Sequence, residues 1–124
     1  MWIFTKHSIL SIVEDKNNSD RFCVRGRLPG DIEYLFSHLP NLNVIEGAGT
    51  DYRFRAFIDK EDVVKELTKE ISDITYTNFK DEANKQTKHD DDNPQRMRMM
   101  QRVWNNMYEA QEDVHNMEGK NYYE

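Results

Sequence analysis

The residues of this chain with the means to do chemistry are a set of arginines alternating with aromatic and apolar side chains, a lone cysteine, a short glycine-rich loop, and a histidine followed by three aspartates. The arginines are the densest of these. Arg21, Arg25 and Arg27 fall in one stretch, Arg53 and Arg55 in another, with Phe57 close behind. Planar guanidinium groups beside an aromatic ring suit phosphate groups and unstacked bases. Neither stretch carries the aromatic-glycine pattern of the RNA-recognition domains, and the competing reading is that these arginines pair with carboxylates of the chain itself or lie beneath another element. His89-Asp90-Asp91-Asp92 offers nitrogen and oxygen ligands, but consecutive carboxylates on a linker cannot all converge on one cation, so ordinary exposed ion pairing is expected there. Gly47-Ala48-Gly49-Thr50 joins two strands and does not open a helix, so turn chemistry explains it better than phosphate binding does. Cys23 has no sequence-evident histidine partner and no second cysteine. No serine elbow, Walker loop or paired catalytic carboxylate motif stands out either. The expectation is a protein that binds and does not catalyse, with no metal and no cofactor.

The elements that would position these residues follow from periodicity. Tyr52 to Asp59 is the clearest strand: Tyr52, Phe54, Ala56 and Ile58 share one face at period two, leaving Arg53, Arg55 and Phe57 on the other. Trp2 to Val13 reads as a first strand, the polar run Glu14 to Asp20 as a loop, and Arg21 to Leu28 as a second strand with Phe22 and Val24 facing inward. Gly26 lies on that inward face, where a missing side chain admits a closely packed helix. Arg21, Arg25, Arg27, Arg53, Arg55 and Phe57 would then share the outward sheet face, and Arg25, Arg27, Arg53, Arg55 and Phe57 are the candidate binding residues. Asp31 is placed to cap a short helix carrying Ile32, Leu35, Phe36 and Leu39, which Pro40 ends. Leu42 to Glu46 reads as a strand paired with the Tyr52 strand. Asp59, with Asp62 three residues on, is placed to cap a helix whose buried stripe is Val63, Val64, Leu67, Ile71 and Ile74. Thr75 to Phe79 suits a fifth, edge strand or an irregular connection.

Beyond this point the chain changes character. From Lys80 to Asn93 the only apolar residue is Ala83, which reads as a flexible acidic linker over 81–93. Asn93-Pro94 supplies a cap and first-turn proline for an amphipathic helix over 94–116. Met97, Met100, Trp104, Met107, Gln111 and Val114 recur in it at steps of three and four, with Tyr108 widening the stripe. Met97, Met100, Trp104, Met107 and Tyr108 are therefore candidate interface residues, and 117–124 is expected to fray. The resulting plan is an α+β two-layer sandwich over 1–80, a ferredoxin-like antiparallel sheet with two helices on one face, followed by the linker and the long C-terminal helix. Heptad-like spacing in that helix points to a homodimer with Trp104 buried between chains.

Charge narrows the partners. Residues 1–59 hold 7 Lys and Arg against 8 Asp and Glu, whereas 60–124 hold 10 against 15, so the net charge of -6 sits in the second half. A uniformly basic nucleic-acid-binding domain is disfavoured, although a local arginine patch is compatible with nucleic acid. One cysteine fits a reducing cytoplasm, and no run of about 18 apolar residues suggests a membrane span.

Met1-Trp2-Ile3-Phe4-Thr5-Lys6, Thr50-Asp51-Tyr52-Arg53-Phe54-Arg55, Tyr76-Thr77-Asn78-Phe79-Lys80 and Val103-Trp104-Asn105-Asn106-Met107-Tyr108 occur in the order MW-x-FTK, TDY-x-x-R, Y-x-NFK and VW-x-x-MY. In these motifs the chain resembles a small family of bacterial and mobile-element proteins with no assigned activity. From Glu109 onward it is more acidic and richer in asparagine than that pattern. The resemblance implies a phage- or plasmid-borne regulator that binds a protein partner, such as an inhibitor of a host defence complex. Nucleic-acid or nucleotide binding through the arginine face is the alternative.

Overall fold

The computed structural model describes residues 1–47 and 50–123, with side chains to 118; Ala48 and Gly49 of the glycine-rich turn, and Glu124 of the expected frayed tail, lie outside the described residues. The chain divides into two compact units, Met1–Gln86 and Thr87–Glu124.

The first unit is built on a five-stranded antiparallel sheet. Its strands are β1 (Trp2–Phe4), β2 (Ile9–Glu14), β3 (Arg21–Gly26), β4 (Ile45–Glu46) and β5 (Phe54–Asp59), with helices α1 (Asp31–Phe36) and α2 (Lys60–Ser72). The sheet order is β1-β2-β3-β5-β4. What reads in the sequence as one opening strand is a hairpin, because Thr5 closes a turn on Ser8: their backbones bond at 2.8 Å, and the Ser8 N–H also donates to Thr5 Oγ1 at 2.9 Å. The polar residues that interrupt the apolar run are that turn.

The arrangement β3-α1-β4-β5, with β5 seated between β3 and β4, is a split βαβ unit, half of a ferredoxin-like fold. The closing strand of that fold does not form. Residues 74–78 are irregular, and Asn78 Oδ1 instead accepts from the Asp81 N–H at 3.0 Å, starting a further helix. The place beside β3 belongs to β2, whose Leu10 and Ile12 reach the same core face as Val24 and Ala56.

That core face gathers Leu10, Ile12, Val24, Ile32, Leu35, Phe36, Ala56, Ile58 and Val63. Each fully buried large apolar side chain there stabilises the fold by about 1.5–3 kcal/mol. Gly26 lies beneath α1 as expected: a Cβ at this position would meet Ile32 Cγ1 at 3.6 Å and Asp31 Cβ at 3.8 Å. The cap of α1, however, is Gly30 in the left-handed region (φ 87°) and not Asp31. Asp31 is buried, its Oδ2 accepts from the Ile9 N–H at 2.9 Å, and its carbonyl accepts from Ser8 Oγ at 2.7 Å. The residue ties the helix to the β1–β2 turn.

Asp59 precedes α2 but makes no side-chain capping bond, so the Asp59–Asp62 cap is not formed. The buried row of α2 is also narrower than the sequence suggests. Val63 is buried and Leu67 packs on the core, whereas Val64, Ile71 and Ile74 are exposed. Rows 63-67-70 and 64-67-71 compete for one helix face, and Glu66 and Glu70 decide it by pairing with His38 at 2.8 Å and Lys6 at 3.9 Å. Leu42 and Val44 reach the core from a loop, leaving β4 only two residues long.

The stretch expected as a flexible linker is helical as α3 (Phe79–Thr87). Its physical basis is local. Asn78 caps it, Asp81 and Glu82 occupy the first turn and Lys85 the last, and Gln86 donates to Glu82 one turn back at 2.9 Å. Ala83 is fully buried, so a single small apolar residue suffices where a run of them was looked for.

In the second unit the Thr87 carbonyl accepts from the Asp90 N–H at 2.9 Å, and Asn93 Nδ2 donates to Thr87 Oγ1 at 3.0 Å. These bonds close the turn that carries His89 to Asp92. Helix α4 (Asn93–Tyr123) then runs for 31 residues, well past the expected end at 116. Among the described residues no helix is long and apolar enough to cross a membrane.

Candidate interaction surfaces

Sheet register sets the face opposite the core. Ser11, Arg25, Arg55 and Ile45 lie level across four strands, and Val13, Cys23 and Phe57 form the next row. Arg25 and Arg55 are thus direct cross-strand neighbours, an arrangement of like charges that costs stability unless something compensates. Arg25 Nη2 donates to Ser11 Oγ at 2.7 Å and Arg55 Nη2 to Thr50 Oγ1 at 2.7 Å. Both partners are neutral hydroxyls.

Tyr52 is the centre of this face, contrary to its expected place under the helices. Strand β5 begins only at Phe54, so Tyr52 is free of the strand's alternation, and its ring lies between two guanidinium groups, Arg25 at 4.5 Å and Arg27 at 4.1 Å. Only 9% of the residue is exposed. A hydrogen bond from Ser11 holds its phenol below the ordinary tyrosine range against the opposing effect of burial, with Arg27 and Arg25 adding to the lowering. The signal that could have placed it was Thr50-Asp51 immediately before, a turn pair that delays the strand.

The remaining arginines are spoken for. Arg21 grips the buried Asp15 through Nε (3.1 Å) and Nη2 (2.7 Å) and lies 5.4 Å from the Phe57 ring centre. Asp15 is held below the ordinary carboxylate range by the Asn17 N–H and, against burial, by Arg21. Arg27 donates to the Asp51 carbonyl at 2.9 Å. Arg53 leaves the group: it pairs with Glu46 at 2.9 Å and covers Phe54, turning to the β4 edge. Of the five candidate residues of this face, the structure brings Arg25, Arg27 and Arg55 around Tyr52, sets Phe57 beneath Arg21, and sends Arg53 elsewhere. Cys23 is buried in the row between Val13 and Phe57.

The second surface is on α4. Met100 is buried and Met97 half-buried, but from Trp104 the stripe is open to solvent: Trp104 is 49% exposed, Met107 61%, Tyr108 50%, Val114 54% and Met117 63%. Trp104 and Tyr108 stack with ring centres 5.3 Å apart and planes inclined by 4°. Four residues apart on one helix face, they make a flat aromatic step inside the apolar row. Met117 was assigned to the tail, although its spacing of three from Val114 continues the row.

Among the described residues no group of three or more His, Cys, Asp or Glu side chains converges as a metal site. Comparison with protein-family models, with curated proteins and with solved structures found no match.

Proposed function

We propose that the protein acts by binding another macromolecule, without chemistry of its own, and that the α4 stripe is the surface it uses. The observation that carries this reading is the solvent exposure of Trp104, Met107, Tyr108, Val114 and Met117 along one helix. A contiguous apolar patch of large side chains marks interaction sites on folded proteins, and aromatic residues with methionine are the side chains enriched there. Methionines adapt to differently shaped partners, and the stacked Trp104–Tyr108 pair supplies a rigid anchor. The family resemblance makes a regulator carried by a mobile element, acting on a protein complex of its bacterial host, the biological setting of this reading.

The test compares capture of partners by the full chain and by a Trp104→Ser/Met107→Ser variant whose circular dichroism and melting match wild type. Loss of capture in the folded variant supports the reading. Equal capture by both refutes it.

A second reading, binding of nucleic acid through the arginine face, is favoured by one observation: Arg25 and Arg55 face each other with hydroxyl and not carboxylate partners. Binding of a random single-stranded oligonucleotide that weakens steeply with salt, and fails in Arg25→Ala/Arg55→Ala, would establish it.

A further inference from the structure

The charges of α4 indicate which molecule covers its stripe. From Asn93 to Val103 the helix carries three arginines and no acidic residue, and from Trp104 to Glu118 four acidic residues and no lysine or arginine. A helix by itself favours acidic residues at its amino end and basic ones at its carboxyl end. Helix α4 has no acidic residue in its first turn and runs in the opposite sense. Such an order is unfavourable for one helix alone and favourable for two copies laid head to tail.

We propose that α4 pairs with α4 of a second copy of this chain, in antiparallel orientation; the proposal rests on the reading of the stripe as a binding surface and names its occupant. Trp104, Met107, Gln111, Val114 and Glu118 follow steps of three and four, the spacing of a helix–helix seam, with Tyr108, Ala110 and Met117 flanking it. Because Met100 is already buried in its own chain, the free stripe begins at Trp104, and its centre falls midway between Trp104 and Val114. Rotation about that centre sets Trp104 against Val114 of the second copy and Met107 against Gln111. Arg102 then comes within about 3 Å along the axis of the level of Glu118 on the second copy, at 1.5 Å per residue. Glu112 and Asp113 lie level with the uncharged Asn106 and Asn105. In a parallel pair each of these carboxylates would lie level with its own counterpart, and Arg98 and Arg102 with theirs. Like charges in register disfavour that orientation.

The full-length chain tests this in a Cys23→Ala background. A mixture of Gln101→Cys and His115→Cys chains places the two thiols on one flank of the antiparallel seam, about 3 Å apart along the axis. Mild oxidation should give the mixed disulfide dimer. His115→Cys alone should give none, since its two copies are offset by about 18 Å along the axis, beyond the reach of a disulfide. Arg102→Glu should weaken self-association by roughly two- to tenfold over the two symmetry-related contacts, and mixing it with Glu118→Arg should restore it. Crosslinking of like with like, or self-association indifferent to Arg102→Glu, overturns the antiparallel pairing. A wild type that sediments as a monomer at about 100 µM also overturns it; if capture of another protein still depends on Trp104 and Met107, the binding reading survives with a different occupant. Stripe variants that change neither self-association nor capture remove both.

Discussion

Replacing Tyr52 by alanine is the most informative single perturbation of the sheet's outward face. Its ring is buried between Arg25 and Arg27, and burial of an aromatic of this size contributes about 1.5–3 kcal/mol. Each guanidinium–ring contact at a partly exposed site adds about 0.5–1 kcal/mol. The Ser11 hydrogen bond adds about 1 kcal/mol. Some of this returns when the freed arginines are rehydrated, so Tyr52→Ala is expected to lower stability by about 3–5 kcal/mol, the usual range for truncating a buried aromatic. Tyr52→Phe keeps the ring and loses the phenol's partners, and should cost about 1–2 kcal/mol. Urea denaturation followed by circular dichroism measures both, provided the slope of the transition is unchanged. The decisive comparison is a cycle with Arg27→Ala, whose cost should shrink by about 0.5–1 kcal/mol once the ring is gone. If Tyr52→Ala costs less than about 1 kcal/mol, or if Arg27→Ala costs the same with and without the ring, the arginines do not form the scaffold described for this face.

Three further outcomes follow from the first unit. Gly26→Ala should be neutral or stabilising by about 0.5–1 kcal/mol in thermal melts, because its new methyl meets Ile32 and Leu10 at ordinary contact distances and its backbone is not left-handed. Asp31→Ala should destabilise by about 1–3 kcal/mol by leaving the buried Ile9 N–H without its acceptor, with faster amide hydrogen exchange across the β1–β2 turn. Asp15 titrates below its unfolded value, near 3.9, so its contribution is complete above about pH 4 and is lost as pH falls through the folded value. Urea midpoints at pH 7 and pH 3 should therefore differ less in Asp15→Asn than in wild type.

The sheet's inner face and both of its helices are legible in the sequence because period-two and period-three-to-four burial is enforced by the same core. Phe22, Val24, Ala56 and Ile58 lie where alternation puts them. Alternation stops informing where a strand has not yet begun, and this is why Tyr52 was placed on the wrong side of the sheet. Helix α3 is invisible to a search for apolar stripes, since its determinants are the Asn78 cap, end charges and one buried alanine. Row 64-71-74 of α2 looked as apolar as row 63-67 because hydrophobicity alone cannot register the ion pairs of Glu66 and Glu70. On α4 the stripe's residues are evident from spacing, but the change at Trp104 from covered to open is a tertiary property. Arg53 and Arg55, two positions apart on one chain, were taken as equivalents; one neighbouring carboxylate, Glu46, separates them.

The borders of the sheet have a consequence for how any partner is recognised. One border, β1, is three residues long and the other, β4, is two. So short a border presents few unpaired backbone groups, which protects against strand-by-strand stacking of one molecule on the next. The same brevity gives an incoming extended peptide almost no ladder to extend. Recognition by this protein is thereby left to side chains, where a single substitution can retarget it without disturbing the main-chain framework beneath.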